Sequence, residues 1–490
     1  MIRQIRGLVA GLLLLYVVVF IALNTIQVSR KEALDEHPSN NRQTIRDFNR
    51  PRGPIVTADG VVVAESVATG GGEFAFQRRY PTGDLFAHIT GYYTYSFGSS
   101  QLEKTMDDVL MGDTAAQTVG GVFGGADNSG TVVLTLRHDL QRVVAEALGD
   151  REGSVVVMDP STGAVLAMVS HPRFDPNAVA VPDGDEAENA FAAFNEQPGK
   201  PLLANAYQER YMPGSAFKVL TTGIALERGV IGLDTEWPVE SSWLPPQTDD
   251  PIENYGAREC GGSMSEVFWR SCNIPFAKIA VTLGPDAMVQ GVREWGVGEQ
   301  IPFDLPAPAT SNFENAGREP IDFAQNIPLL AIGGFGQAND LMTPLHMCMV
   351  ASAVANGGRM MSPYVTASTK AHNGRLLTTT RPTVWKTPIS PSTAAVLTGL
   401  MVGVVNNGTG QPMQLAGGIQ AAAKTGTAQL NARGEPQRSH AWIIGFAPAA
   451  APQYAVAVVL KGTNDEISAG TGGRLAGPIA KQILDYLLGG

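Results

Sequence analysis

The chain has 490 residues, which is long enough for two or three domains and a large buried core. Hydrophobic residues make up 44% of it and charged residues 17%, values typical of a globular protein. The formal net charge of −11 argues against nucleic acid as a main partner, because phosphate binding needs a basic surface.

The N-terminal segment predicts export from the cytoplasm. Arg3 and Arg6 precede an apolar run at residues 8–23 that continues more weakly to Val28. About 20 apolar residues span a bilayer, so we expect residues 1–28 to form a cytoplasmic tip and a transmembrane anchor. A cleaved signal peptide is the alternative, since it also begins with a basic patch and an apolar core. In either case the residues that follow are exported.

Residues 29–130 form the second predicted part of the chain. They begin with a polar, proline-broken segment that is typical of a stalk. Short apolar runs follow between Asp-Gly and glycine clusters, which predicts a mainly β module. The glycine-rich run at residues 119–130 has neither a P-loop nor a dinucleotide-binding pattern, so we interpret it as a linker or loop.

Residues 131–490 form the third predicted part, a single domain. A short strand and an amphipathic helix open it, and a hairpin follows, with strands at residues 154–158 and 165–169 around a Pro-Ser-Thr-Gly turn. The middle is rich in helix, and three apolar strands and a helix at residues 475–488 close the domain. Strands at both ends of one segment predict a single sheet with a helical insertion, which is an α+β fold.

Three cysteines, Cys260, Cys272 and Cys348, lie in the exported part. Export permits disulfides, and the short separation of Cys260 and Cys272 leads us to predict a bridge between them. The alternative is a buried thiol at Cys272 and a free, exposed one at Cys260. Cys348 lies in an apolar run and is predicted to be a buried small hydrophobic residue. The spacing of cysteines and histidines shows no zinc-ligand pattern, so we expect no metal and no cofactor.

The stretch PGSAFKVLTTGIALERG begins like a helix and places Ser215 and Lys218 on one face. A serine hydroxyl is a weak nucleophile unless a base lies within hydrogen-bonding distance. Lys218 is a base only when neutral, and burial, a second cation or a helix N-terminus would lower its pKa. The backbone N–H groups at the helix start suit an oxyanion. Taken alone, the pattern also fits an ordinary helix cap beside a lysine.

Two further motifs add candidate site residues. RSCNIP contains Ser271 and Asn273, a hydroxyl and an amide that can relay a proton and hold a substrate amide. A K-T-G-T run contributes an amine, a glycine and two hydroxyls, at Lys424, Thr425, Gly426 and Thr427. Lys424 and Gly426 share one face of a predicted strand, where glycine leaves room for a ligand backbone. A solvated strand lysine is the ordinary interpretation of Lys424 alone.

In this order, S-x-x-K, S-x-N and K-T-G resemble the signature set of the penicillin-recognising serine enzymes. The chain is identified as a member of the class B penicillin-binding proteins, and its short N-terminal module and length are most similar to penicillin-binding protein A of actinobacteria. RPRGPIVTADGVVVAES is similar to a family segment whose characteristic residues are kept at Arg52, Gly53, Ile55, Gly60 and Ala64. It departs from the family at residues 57–59, where Thr-Ala-Asp replaces Asp-Arg-Asn.

The resemblance implies the penicillin-recognising serine transpeptidase fold, an antiparallel sheet with packed helices and a helical insertion. It also implies a D,D-transpeptidase that cross-links peptidoglycan stem peptides during growth or division. Ser215 is then the nucleophile and Lys218 its base. Ser271 and Asn273 pass the proton to the departing D-Ala and orient the acyl amide.

The remaining roles are also implied by the resemblance. Lys424, Thr425 and Thr427 bind the terminal carboxylate, with Gly426 beside them, and the N–H groups of Ser215 and Thr427 form the oxyanion hole. The expected partners are stem peptides, β-lactams as inhibitors, and a membrane reached by one N-terminal helix, with the catalytic domain outside the cytoplasm. A glycosyltransferase and other cell-wall synthesis proteins are candidate protein partners, and nucleic acid is not.

Three alternatives share this fold. A D,D-carboxypeptidase transfers the acyl group to water, a β-lactamase needs an efficient deacylating base, and a β-lactam-sensing or binding protein of this fold has a degenerate site. All three triplets are intact, which favours an enzyme. An α/β-hydrolase is excluded, because the chain has no G-x-S-x-G elbow.

Overall fold

The computed structural model describes seven stretches of the chain, residues 2–25, 42–71, 74–118, 128–314, 320–337, 340–431 and 435–489. They form two compact units, one of Met1–Pro51 and Val67–Gln77 and one of Arg52–Ser66 and Arg78–Gly490. The first part of the predicted stalk, up to residue 41, and most of the predicted glycine-rich linker lie outside the described residues. The three-part division predicted from the sequence stays a prediction.

The first unit contains the predicted anchor. Helix α1, Ile2–Asn24, covers the apolar N-terminal run, and α2 is Arg42–Phe48. The large apolar side chains of α1 are exposed all round, as in a helix that contacts lipid rather than a protein core. Among the described residues, only α1 is long and apolar enough to cross a bilayer.

The second unit contains further helices and all or part of every strand. Its α-helices are α3 Ala87–Thr90, α4 Gln101–Thr105, α5 Asp107–Met111, α6 His138–Leu148, α7 Gly184–Glu196, α8 Asn205–Gln208, α9 Lys218–Glu227, α10 Met264–Trp269, α11 Ile274–Glu294, α12 Ile327–Gly333, α13 Pro344–Ala355, α14 Pro391–Asn407, α15 Asp465–Ala469 and α16 Gly472–Leu488. Short 3₁₀ turns are Gly83–Phe86, Pro176–Ala178, Gly214–Phe217, Tyr255–Ala257, Gln411–Met413 and Ala416–Gly418.

The strands are short outside one central sheet. They are β1 Ile55–Val56, β2 Val62–Ala68, β3 Phe76–Arg79, β4 Tyr93–Thr94, β5 Gly98–Ser99, β6 Thr131–Leu134, β7 Gly153–Met158, β8 Val165–His171, β9 Glu236–Glu240, β10 Ser242–Trp243, β11 Ile252–Glu253, β12 Cys260–Ser263, β13 Met360–Met361, β14 Thr366–Lys370, β15 Leu376–Thr379, β16 Val384–Lys386, β17 Ala422–Gln429, β18 Ser439–Ala447 and β19 Tyr454–Leu460.

The central sheet is antiparallel and has the order β17-β18-β19-β7-β8. The predicted hairpin, the three closing strands and the final helix are confirmed, and so is the prediction that the two ends of the segment meet in one sheet. Alternate side chains enter two different cores: Val155 and Val157 pack with α6 and α16, and Val156 and Met158 pack with the helical insertion. In this strand order β17 lies at one edge of the central sheet.

A second sheet has the order β15-β14-β6-β1-β2-β3, in which β6 runs parallel to β1 and antiparallel to β14. Asp59, one of the residues that depart from the family segment, accepts hydrogen bonds from the backbone N–H groups of His138 and Asp139. A carboxylate at this place caps the start of α6 and interacts favourably with the helix dipole.

A buried ionic cluster lies beside the second sheet. The Glu103 side chain is fully buried and accepts hydrogen bonds from Arg52 Nε at 2.5 Å and Arg78 Nε at 2.7 Å. Arg78 also donates to the backbone oxygens of Arg52 and Gly53. Burial opposes ionisation of Glu103, but the guanidinium groups of Arg78 and Arg52 hold its pKa below the ordinary value. The Arg-Gly pair kept from the family segment is therefore part of the core.

We expect Glu103→Gln to lower the free energy of unfolding by about 3 kcal/mol, because it leaves the buried Arg78 guanidinium without a counter-charge and Arg52 with only the half-exposed Asp107 carboxylate. Urea unfolding of the full-length chain in detergent measures this. The matched control is Glu146→Gln, which removes an exposed ion pair with Arg142 and should cost no more than about 0.5 kcal/mol. Equal midpoints for the two variants would contradict the prediction.

Candidate active site

Ser215 lies in a 3₁₀ turn that leads directly into α9. Two glycines allow this turn to lie against the edge of the central sheet. Gly214 has φ +52°, and a Cβ there would lie 2.7 Å from the Thr427 carbonyl oxygen. A Cβ at Gly336, whose φ is +81°, would lie 2.0 Å from the Gly214 carbonyl oxygen. The turn is thus held between β17 and the segment that follows α12.

Gly426 lies on β17 opposite the same turn. A Cβ at this position would lie 2.4 Å from the Pro213 carbonyl oxygen and 3.1 Å from the Ala216 nitrogen. The space that the sequence assigned to a ligand backbone is therefore occupied by the turn that carries Ser215. Glycine is needed here because two backbone segments approach closely, and a substrate contact at Gly426 stays a prediction.

The S-x-N loop connects α10 to α11. Ser271 has φ +59°, a left-handed conformation that is uncommon for a residue other than glycine. The next residue, Cys272, forms a disulfide with Cys260 of β12, with 5.7 Å between the two Cα atoms. Cys348 lies buried in α13 with a free thiol, as predicted.

The Lys218 amine is surrounded by oxygens of this loop. Its Nζ donates to the Cys272 carbonyl oxygen at 2.7 Å, to the Ser271 carbonyl oxygen at 2.9 Å and to Asn273 Oδ1 at 2.9 Å, and it lies 3.4 Å from Ser271 Oγ. The Ser215 hydroxyl, which the sequence places on the same helix face, is not among the hydrogen-bond partners of Lys218 in the described structure. The amine instead connects α9 to the S-x-N loop.

Lys424 reaches the same loop from β17. Its Nζ donates to Ser271 Oγ at 2.8 Å and to the Thr425 carbonyl oxygen at 3.1 Å. The Ser271 hydroxyl therefore lies between two lysine amines. The three motifs, which are separated by more than 50 residues in the chain, meet at this hydroxyl.

Both amines are fully buried. Burial lowers the pKa of Lys218 well below its ordinary value of 10.5, and the Lys424 amine lowers it further. Burial lowers the pKa of Lys424 to about 7. The ring centre of Phe276 lies 5.1 Å from Lys218 Nζ, and that of Phe268 lies 5.6 Å from Lys424 Nζ. A neutral amine at Lys218 is the form that can accept a proton.

A cleft of about 460 Å³ opens over these groups. Ser215, Ser271, Asn273, Thr425 and Thr427 line it, whereas both lysines are buried behind its wall. The cleft can hold an extended peptide against the edge of β17. Within the described stretches, no group of three or more His, Cys, Asp or Glu side chains is arranged to hold a metal ion.

Comparison with known proteins identifies the family to which this chain belongs. The family profile for the penicillin-binding protein transpeptidase domain matches residues 153–485, and that for the penicillin-binding protein A dimerisation domain matches residues 52–133. The chain belongs to the penicillin-binding protein transpeptidase family. It is a class B penicillin-binding protein, as its resemblance to that class implied.

Two curated relatives align with this penicillin-binding protein over nearly its whole length. Peptidoglycan D,D-transpeptidase PbpA of Mycobacterium tuberculosis is 34% identical over 501 residues, covering 99% of both chains. PbpA of Mycolicibacterium smegmatis is 34% identical and covers 98% of this chain and 97% of its own. The ceftriaxone acyl-enzyme of M. tuberculosis penicillin-binding protein A superimposes with a TM-score of 0.84 at 33% identity, covering 91% of this chain and 100% of that one.

Sequence reasoning missed three side chains of this site in the penicillin-binding protein. Thr409 Oγ1 lies 2.6 Å from Thr425 Oγ1, Gln337 Nε2 donates to the Thr427 carbonyl oxygen at 3.3 Å, and Asn254 contacts the S-x-N loop. Gln337 lies in GGFGQANDLMTPLHMCMVASAVANGG, a stretch that resembles a family segment outside the three motifs, and this resemblance is a signal that points to it. Thr409 and Asn254 lie in loops without a catalytic motif.

We expect Cys260→Ser to lower thermal stability and to slow acylation by penicillin while leaving Ser215 available. The closed loop of about 12 residues contributes roughly 3 kcal/mol in the chain-entropy model, and the bridge braces the residue between Ser271 and Asn273. Melting temperature and acylation rate measure the two effects. Mass spectrometry of the non-reduced, alkylated wild type is the control, and free, alkylated Cys260 and Cys272 would contradict the bridge.

Proposed function

We propose that this protein is a peptidoglycan D,D-transpeptidase that acts through a Ser215 acyl-enzyme and is inhibited by β-lactams. The observation that supports this best is the pair of buried amines that share the Ser271 hydroxyl behind a cleft lined by Ser215. The names of the full-length relatives and the β-lactam acyl-enzyme of a similar structure support the same reaction.

Acylation begins with a neutral Lys218. A neutral amine has two N–H groups and one lone pair, so it can keep two of its loop acceptors and turn the lone pair to Ser215. Ser215 Oγ then forms a bond to the carbonyl carbon of the penultimate D-Ala while its proton passes to Lys218. The N–H groups of Ser215 and Thr427 are the proposed donors to the oxyanion. One such donor is typically worth about 10²–10³ in rate.

Breakdown of the tetrahedral intermediate breaks the C–N bond to the terminal D-Ala. The leaving amine needs a proton, and Ser271 is placed to pass one from Lys218 because its hydroxyl lies beside that amine. Thr425 and Thr427 are the proposed contacts of the terminal carboxylate, with the Lys424 charge behind them. In the second step an amine of a neighbouring stem attacks the acyl carbon, the C–O bond to Ser215 breaks, and the proton that the amine loses returns to Ser215 Oγ through Lys218. A β-lactam forms the same ester but has no leaving group that departs.

The setting of this reaction is also part of the proposal. Residues 1–28 are the cytoplasmic tip and single membrane span, residues 29–130 a pedestal, and residues 131–490 the extracytoplasmic transpeptidase domain. The apolar α1 and the basic residues Arg3 and Arg6 support this topology. A glycosyltransferase and other cell-wall synthesis proteins are the proposed partners, because a cross-linker acts on newly made glycan strands.

We expect Ser215→Ala to abolish labelling by a fluorescent penicillin while preserving the melting temperature, because the only proposed nucleophile is removed. Peptide mapping of the labelled wild type should place the adduct on Ser215. Adduct that persists in Ser215→Ala would contradict the assignment. Water as the main acyl acceptor with stem-peptide substrates would indicate the carboxypeptidase alternative instead.

Lys218→Arg and Lys424→Arg test the division of roles between the two amines. We expect Lys218→Arg to lose acylation almost completely, because guanidinium does not act as a base near neutral pH. Lys424→Arg keeps a cation near Lys218 and near the carboxylate contacts, so acylation should be weakened yet measurable. Stopped-flow acylation by penicillin compares them, and identical behaviour of the two variants would refute the division.

A further inference from the structure

Asn254 follows β11 and is buried beneath the S-x-N loop. Its Oδ1 accepts hydrogen bonds from the backbone N–H groups of Asn273 at 2.8 Å and Ile274 at 3.2 Å. Its Nδ2 donates to the carbonyl oxygens of Glu240 at 2.8 Å and Arg258 at 3.2 Å. All four hydrogen-bonding capacities of the amide are used, so its orientation is fixed. The side chain ties the start of α11 to two neighbouring backbone segments.

The backbone beside Asn254 fixes a second amide. The Glu253 carbonyl oxygen accepts a hydrogen bond from Asn273 Nδ2 at 3.2 Å. With its nitrogen engaged there, the Asn273 side chain presents Oδ1 to Lys218 Nζ at 2.9 Å. Residues 253 and 254 thus set both the position of the Asn273 backbone and the direction of its side chain.

The loop needs such support because Ser271 has a left-handed backbone conformation. A conformation of this kind persists in a residue other than glycine only where the surroundings enforce it. The disulfide holds the residue after Ser271, and Asn254 holds the next two. These two tethers hold consecutive residues of the loop, one from β12 and one from the end of β11.

We propose that Asn254 is a positioning residue for acylation, which keeps Ser271 Oγ and Asn273 Oδ1 at the Lys218 amine. The inference rests on the proposed function. Asn254 acts through the loop backbone and has no role in bond making. Its removal should therefore slow the chemical step more than it weakens penicillin binding.

The test compares Asn254→Ala with Asn177→Ala in the full-length chain in detergent. Asn177 is the control, because its side-chain amide also binds backbone, through two hydrogen bonds of 2.9 Å with Tyr80, and because, unlike Asn254, it does not line the cleft. Stopped-flow acylation over a range of penicillin concentrations separates the limiting rate from the dissociation constant. Both variants should lose some thermal stability. Asn254→Ala should lose about tenfold or more in limiting rate, and Asn177→Ala less than twofold.

Hydrogen exchange supplies a second readout that needs no acylation. The amides of Asn273 and Ile274 should lose protection in Asn254→Ala and keep it in Asn177→Ala. A limiting rate within twofold of wild type, or unchanged protection of both amides, would overturn the inference. If Asn254→Ala does not fold, Asn254→Ser, which retains one hydroxyl in the pocket, carries the same test. A wild-type protein that penicillin does not acylate would contradict the proposed function. The exchange measurement would still show whether Asn254 holds the backbone of Asn273 and Ile274 in place.

Discussion

The constraint on which the site depends is the burial of two lysine amines on either side of one serine hydroxyl. Water is replaced by aromatic rings and backbone oxygens, so each cation is destabilised by burial, and Lys218 also by its neighbour. The difference between a pKa of 10.5 and one of about 7 corresponds, for Lys424, to about 4 kcal/mol of folding free energy at neutral pH. That cost is absent above the unfolded pKa and grows as the pH falls toward 7. The rest of the fold must offset it.

The fold offsets it with a rigid frame around the amines. The central sheet is buried on both faces, and its edge strand carries Lys424. The turn that bears Ser215 lies so close to this strand that there is no space for a side chain at position 214 or 426, and both residues are glycines. On the other side, a disulfide and the Asn254 amide hold the S-x-N loop. Each of the three motifs is thus fixed by contacts with backbone rather than by exposed side chains.

The positions of the three motifs could be predicted from local sequence patterns, and the roles of their residues were implied by the resemblance to the penicillin-recognising serine enzymes. S-x-x-K at a helix start, K-T-G on a strand and the strands at both ends of the domain all follow from short-range periodicity. The contacts of Asn254, the filled space at Gly426 and the loop partners of Lys218 could not be predicted. They depend on where distant backbone segments come to lie, and an Asn before Tyr-Gly or a glycine in a strand is compatible with many tertiary settings.

The same frame leaves the Lys218 side chain less constrained than the two backbone segments around it. The Ser215 turn is fixed by close backbone contacts and the S-x-N loop by two tethers, so neither can readily approach the other. Lys218 lies between them on a flexible four-carbon stem. As an ammonium ion it has three loop oxygens within hydrogen-bonding distance, enough to engage all three of its N–H groups. Once deprotonated, the amine has one N–H group fewer and a lone pair that can accept a hydrogen bond from the Ser215 hydroxyl. In the proposed mechanism, the protonation state of this one amine therefore decides whether it is a cation bound by the loop or the base for Ser215.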